Sequence, residues 1–169
     1  LEMGIESGNE DVRNHMKKKF TNEDIKYFVS NLGKRKIRMK FLLIVGYPTE
    51  TKEMFEDTLQ LLRDYAEYSH LISVSHHVMM TFENTPLDFD HRDLFGGEFG
   101  FKWKNEHSDF DIRFQRFIKV YELGNELGYN FQQHCIDKIE RYKSDKLNEK
   151  RKSIGFAHPK AKKTLHVQS

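Results

Sequence analysis

Cysteine is almost missing from this sequence: 169 residues contain one, Cys135. A single thiol builds neither a disulfide framework nor a cysteine metal site within one chain. Long apolar runs are missing too. None reaches transmembrane length and no signal peptide precedes the first strand-like segment, so the expected compartment is cytoplasmic. Net charge is nearly balanced at +2, which argues against a chain wholly devoted to nucleic acid. No internal repeat is visible. Leu1 is not an initiator Met and already opens a strand-like run. The sequence therefore reads as a piece of a longer chain whose N-terminal part is missing.

What is present fits a domain with a real core. Apolar residues make up 37% and charged residues 32%, so the core is ample and the surface heavily ionised. The charge is uneven. From Arg141 to Ser169 nine Lys/Arg face two acids, so a basic tail follows a mildly acidic body.

The most informative stretch runs from Met39 to Thr51. Met39 to Val45 is an apolar run suited to a buried strand; Gly46 and Pro48 break it, and a helix starts at Thr49 to Thr51. A strand, a Gly/Pro turn and a helix make a parallel α/β unit, in which ligands sit beyond the carboxyl ends of the strands. The same turn with no ligand is the plainer reading.

Around it the elements alternate. Leu1 to Glu6 is a strand, followed by a helix capped by Ser7 or Asn9 and closed by Lys17 to Lys19. Thr21 to Lys34 is a second helix, with Ile25, Phe28, Val29 and Leu32 as its apolar stripe. After the central strand, Ile37 to Val45, come a helix from Thr51 to Tyr68 and a strand from Leu71 to Met80. This β–α–α–β–α–β order predicts a parallel sheet. Phe82 to Leu87 reads as a loop and Asp88 to Ser108 as irregular and aromatic-rich. Asp109 to Leu127 is an amphipathic helix, with Ile112, Phe114, Phe117, Ile118, Tyr121 and Leu123 as core candidates. Asn130 to about Lys152 is a polar helix, and residues from 153 onward form a disordered basic arm.

Three strand ends converge on one rim: Gly4 to Gly8, Ile44 to Glu50, and Ser75 to Val78. Glu6 and Ser7 offer an acceptor and a hydroxyl suited to ribose hydroxyls or an ammonium group. Glu6 is equally suited to cap a helix or pair with a lysine. The backbone of Ile44 to Gly46 can hydrogen-bond the edge of a flat base. Glu50 fits a helix N-terminal acid better than a catalyst. His76 and His77 face opposite sides of their strand and form no metal pair; a satisfied core histidine is the plainer reading for either. Phe95 to Trp103 fits a plug on the sheet better than a substrate box.

These residues resemble a known family. Gly4-Ile5-Glu6-Ser7-Gly8-Asn9-Glu10, followed by His15-Met16-Lys17-Lys18, resembles the G-I-E-S-G strand and helix of radical S-adenosylmethionine (SAM) enzymes, closest to the group that often carries a cobalamin-binding domain upstream. Phe41 to Thr51 is similar to that group's G-x-P-x-E-T segment. Glu83 to Leu87 is similar to its x-G-T-P-L loop, with Asn84 in place of the usual glycine. Trp103, Arg113 and Arg116 weakly resemble the segment that follows the barrel.

The resemblance implies an α/β fold, the second half of a partial (β/α)6 TIM-like barrel followed by an α-helical C-terminal extension. The implied domains are a half-barrel over 1–88, an aromatic loop and helical extension over 89–152, and a basic tail over 153–169. It implies that Glu6 and Ser7 lie near the methionyl or ribose part of SAM. Ile44, Val45 and Gly46 would lie along its adenine, and His77 near the adenine or substrate. It further implies a 4Fe–4S cluster, whose C-x3-C-x2-C ligands this sequence lacks and which would come from the missing upstream half, and cobalamin through an upstream domain. The cleavage of SAM to a 5′-deoxyadenosyl radical is the expected chemistry; the catalytic residues and the substrate are not readable, and no metal ligands are expected in this stretch. The competing reading is a non-catalytic α/β module that binds nucleic acid through its basic end. Too few aromatics interleave with that charge, so nucleic acid is the less favoured partner.

Overall fold

The computed structural model describes residues 1–153. They divide into two compact units, Leu1–Ile136 and the residues from Asp137 onward. The first unit is a four-stranded, all-parallel sheet in the order β1 (Glu2–Glu6), β2 (Met39–Val45), β3 (Ile72–Val78), β4 (Asn130–Phe131). Helices α1 (Glu10–His15) and α2 (Asn22–Lys34) connect β1 to β2. Helix α3 (Lys52–Asp64) connects β2 to β3, and α5 (Phe110–Glu126) connects β3 to β4. A short helix, α4 (Pro86–His91), and a 3-10 turn (Arg92–Phe95) lie between β3 and α5. This is part of a TIM-like α/β architecture, in which strand order follows chain order and each connection carries a helix.

Strand β2 is covered on one face, and on the other face of β3 Ser75 is buried while His77 is exposed. In β2, Met39, Phe41, Leu43 and Val45 are buried, whereas Lys40, Leu42 and Ile44 are half-exposed. The buried set meets the helices: Phe41 packs edge-on against Tyr65 at the end of α3, and His76 of β3 stacks on Phe117 of α5 at 3.9 Å. The expectation of a fully buried strand is therefore corrected for β2, whose Lys40, Leu42 and Ile44 stay partly exposed opposite the helix-covered face. The other face carries Gly4, Leu42, Ile44, Ser75 and His77 in adjacent register positions.

Local chemistry sets the helix starts. Thr21 and Asp24 form a reciprocal capping box at α2. Thr51 caps α3 and Asp109 caps α5 through the backbone N–H groups of Met54 and Ile112. Thr21→Ala is expected to lower stability by about 1 kcal/mol, read as a shift in the urea midpoint at unchanged slope. Restoring a cap with Ser should recover most of the loss.

Several boundaries differ from the sequence reading. Helix α1 stops at His15, and Lys17 takes a left-handed conformation (φ 60°) beyond it, so the three lysines follow the helix rather than close it. Phe28 is 51% exposed, whereas Ile25 and Val29 of the same stripe are buried. The segment 86–95 is helical, not irregular: Thr85 is extended, caps α4 through Asp88 N–H, and Pro86 sits at the first turn where its missing N–H costs nothing. Asn84 has φ 58°, the left-handed conformation that an asparagine tolerates in place of glycine. The segment read as one helix from Asn130 opens with β4, whose two residues pair with Ser73 and Val74; α6 (Gln133–Ser153) follows. In the second unit the helix is polar, with Lys146 paired to Glu149 and near the Tyr142 ring. Of the basic arm expected over 153–169, Ser153 closes α6 and residues 154–169 lie outside the described residues.

Candidate functional site

The carboxyl ends of β1, β2 and β3 lie side by side, and the first two leave the sheet through unusual backbone. Register slips between Gly4 and Glu6, and Glu6 has φ 66°, a conformation that costs a non-glycine residue about 1–2 kcal/mol. The Glu6 carboxylate turns back over Gly4, where a Cβ would lie 2.8 Å from Oε1, and pairs with Lys18 Nζ at 3.0 Å. Glycine at position 4 therefore leaves the room over the strand that this carboxylate occupies.

Ser7 points the other way. It is fully buried; its Oγ accepts from Asn9 N–H at 3.2 Å and lies 3.4 Å from Thr58 Oγ1. Gly8 N–H donates to Thr58 Oγ1 at 2.9 Å, and any side chain at Gly8 would collide with the Asp57 carbonyl of α3. Arg13 closes the turn by donating to the Ser7 carbonyl at 2.7 Å. The end of β1 is thus clamped to α3.

At the end of β2, Ile44 is half-exposed on the open face and sits in register with the exposed His77 of β3. Val45 is fully buried toward the helices. Glu6, Ile44 and His77 therefore present side chains at the open face or its rim, whereas Ser7 and Val45 contribute main chain there. His77 Nε2 lies 3.4 Å from Ser75 Oγ, and its ring stacks on that of His134 at 5.1 Å. His76 is a core residue: its Nε2–H donates to the Phe117 carbonyl at 2.9 Å, which fixes the tautomer because a carbonyl only accepts.

Gly46 has φ 78°, and a side chain on it would occupy the space of the Arg113 stem. Its N–H donates to Glu50 Oε2 at 2.9 Å. Glu50 is buried, and Arg116 donates to its Oε1 at 3.2 Å and to its carbonyl at 3.0 Å. Burial pushes the Glu50 carboxyl up to about 7 against the opposing pull of Arg116 and of the Gly46 N–H. Arg113 is fully buried, lies 3.8 Å over the Trp103 ring and donates to the Phe101 carbonyl at 2.8 Å. Burial lowers its pKa to about 10. Trp103 and Phe95 are themselves fully buried, so the aromatic segment packs as a plug. Asn105 ties it to the Gly46 turn by donating to the Pro48 carbonyl at 2.8 Å.

This two-arginine core was missed by the sequence reading, which treated Glu50 as a helix-end acid. A signal was present: Arg113 and Arg116 alternate with Phe114 and Phe117 on the face of α5 where apolar residues are expected. The reading also missed the cleft beyond Tyr47. It has a volume of about 220 Å³ and is walled by residues from the segments that follow β1, β2 and β3, among them His15, Tyr47, Met79 and His91.

Residues 1–62 match the Radical SAM superfamily. The matched residues run from β1 to within α3 and include both left-handed strand ends. The chain is 32% identical over 73 residues to a "Probable threonylcarbamoyladenosine tRNA methylthiotransferase" of Methanocaldococcus jannaschii, covering 41% of this chain and 17% of that protein. It is 35% identical over 72 residues to a tRNA-2-methylthio-N(6)-dimethylallyladenosine synthase of Staphylococcus epidermidis, covering 41% of this chain and 14% of that one. The chain thus spans less than a fifth of the length of the curated relatives it matches.

Radical SAM proteins imply two groups, SAM and a 4Fe–4S cluster. The half-exposed Ile44 and the acceptor Glu6, seated over Gly4, fit an adenosyl ligand. The cluster does not fit this sequence. It requires several thiolates, and the one cysteine, Cys135, is buried with its Sγ 3.7 Å from the His76 carbonyl and 3.4 Å from His134 Nε2. Among the described residues no group of three or more His, Cys, Asp or Glu is placed to hold a metal ion. No described helix is long and apolar enough to cross a membrane. The matches carry no support for cobalamin.

Proposed function

We propose that this chain forms one side of the SAM site of a radical SAM enzyme. Glu6, Ile44 and His77 line the cofactor with their side chains, and Ser7, Val45 and Gly46 with their main chain. The cluster thiolates come from polypeptide outside these 169 residues. The observation that carries the reading is the coincidence of the matched stretch with the two strand ends that leave the sheet in left-handed conformation, Glu6 and Gly46. Strained or glycine-dependent backbone at the carboxyl rim of parallel strands is where ligand sites concentrate in such folds.

Saturation-transfer NMR of the 169-residue chain with SAM tests the reading. Saturating the chain's methyl groups should transfer to the adenine protons of SAM. The charged substitution Ile44→Glu, at a half-exposed position outside the helix-covered core, should abolish that transfer while leaving the far-UV circular dichroism unchanged. Absence of transfer at millimolar SAM, or transfer that survives Ile44→Glu, would count against it.

A further inference from the structure

The cleft above the strand ends carries the inference. It lies among His15 and Met16 after β1, Tyr47 after β2, and Met79 and His91 after β3. Three rings meet there: His15 and His91 with centroids 4.5 Å apart, and His15 and Tyr47 at 5.5 Å. Two thioethers complete the apolar walls. The Tyr47 hydroxyl and His15 Nδ1 are 3.1 Å apart. With Nδ1 engaged, Nε2 is the remaining hydrogen-bonding edge of that imidazole.

We propose that this cleft seats a planar heteroaromatic ring belonging to the molecule on which the rim acts. It rests on the reading of the rim as the ligand-binding end of the sheet. Imidazole, phenol and thioether walls all favour contact with a π face. The imidazole edge and the phenol hydroxyl suit a ring that carries its own donors and acceptors, and give a purely aliphatic ligand nothing to use. An isolated anion fits poorly. Burial, and then the neighbouring His91, hold the His15 pKa below its usual value, which disfavours the imidazolium that an anion would pair with. The charge of Lys17 at the mouth is taken by Asp90 at 3.1 Å. A metal ion has no ligand set there among the described residues. The cavity is below the usual range for drug-sized ligands and suits one small ring system. The sequence concealed the site because its residues come from three separate segments, after β1, β2 and β3, and His15 and Met16 read as part of a helix.

The shared chemistry, a heteroaromatic ring, could come from the adenine of SAM itself, and the test separates the two sources. Side-chain imidazole ¹H–¹⁵N spectra of the 169-residue chain are recorded with adenosine, with ribose, with SAM, and with adenosine added after SAM. Adenosine should move the His15 and His91 signals both alone and after SAM, and ribose should move neither. His91→Ala should weaken adenosine about tenfold, and Tyr47→Phe should weaken it severalfold. Signals that ignore adenosine overturn the proposal, as do signals that ribose moves equally. So does movement by SAM to which adenosine adds nothing, which assigns the cleft to the cofactor. If SAM fails to bind while adenosine still moves both histidines, the cleft stands and the SAM reading falls.

Discussion

Arg116→Met is expected to destabilise the chain by about 3–5 kcal/mol, the usual cost of removing one partner of a buried ion pair. The methionine fills much of the arginine's volume, so the loss is electrostatic rather than a cavity. Glu50 is 1% exposed and keeps only the Gly46 N–H on Oε2 at 2.9 Å and the local backbone as partners. Arg116 also donates to the Glu50 and His107 carbonyls, so its removal strands two main-chain acceptors as well. The measurement is urea unfolding at pH 8, where the carboxylate is ionised in the parent chain.

The same pair makes a pH signature. Glu50 moves from 4.5 in the unfolded chain to about 7 in the folded one. Because its folded-state pKa is raised, the folded chain holds a proton between those values that the unfolded chain has released. The Glu50 contribution is therefore most favourable below pH 4.5 and is lost as pH rises to about 7, a change of about 3 kcal/mol. Glu50→Gln should remove this decline, so the difference in stability between parent and variant should grow across that window and flatten above it. In Arg116→Met the window should stretch above pH 7, because the charge that favours ionisation is gone. Parallel pH profiles for parent and Glu50→Gln would refute the assignment.

Legibility followed the range of the interactions. Caps, turns and strand periodicity are local, so Thr21, Thr51, Asp109 and the β1 to β3 order could be read directly. The rim motifs were legible because they are contiguous. Side-chain direction was not. Glu6 and Ser7 are adjacent, yet one turns over the open face and the other into α3, and this depends on a register slip that no pattern announces. Strand β4 is two residues long and its pairing with β3 is entirely non-local. Arg113 and Arg116 stood out in the sequence only through a weak resemblance, and nothing local marks them as buried, since buried charge is rare. They are inside because Trp103 gives one a ring face and Glu50 gives the other a carboxylate, and these partners lie 10 and 66 residues away in the chain. The cleft at His15, Tyr47 and His91 was illegible for the same reason.

Gly46→Ala should be about as damaging, at roughly 2–5 kcal/mol, and its cause can be split by a second substitution. One part is backbone: φ 78° disfavours any L side chain by about 1–2 kcal/mol. The other is packing, because the new methyl would meet the Cγ of Arg113, and overpacking in a tight core costs about 1–3 kcal/mol. Arg113 has little room to withdraw, with its guanidinium against the Trp103 ring and bonded to the Phe101 carbonyl. Arg113→Ala alone should also destabilise, through loss of that stacking. Combined with Gly46→Ala it should cost less than the sum of the two, by about 1–2 kcal/mol, since the methyl then enters vacated space. The backbone part should persist. Strict additivity would mean that the collision does not govern the glycine, leaving conformation alone. The double variant bears on the cofactor too. If the main chain at Ile44 to Gly46 lines SAM, saturation transfer should follow the turn geometry, lost in Gly46→Ala and regained with Arg113→Ala to the extent that stability is.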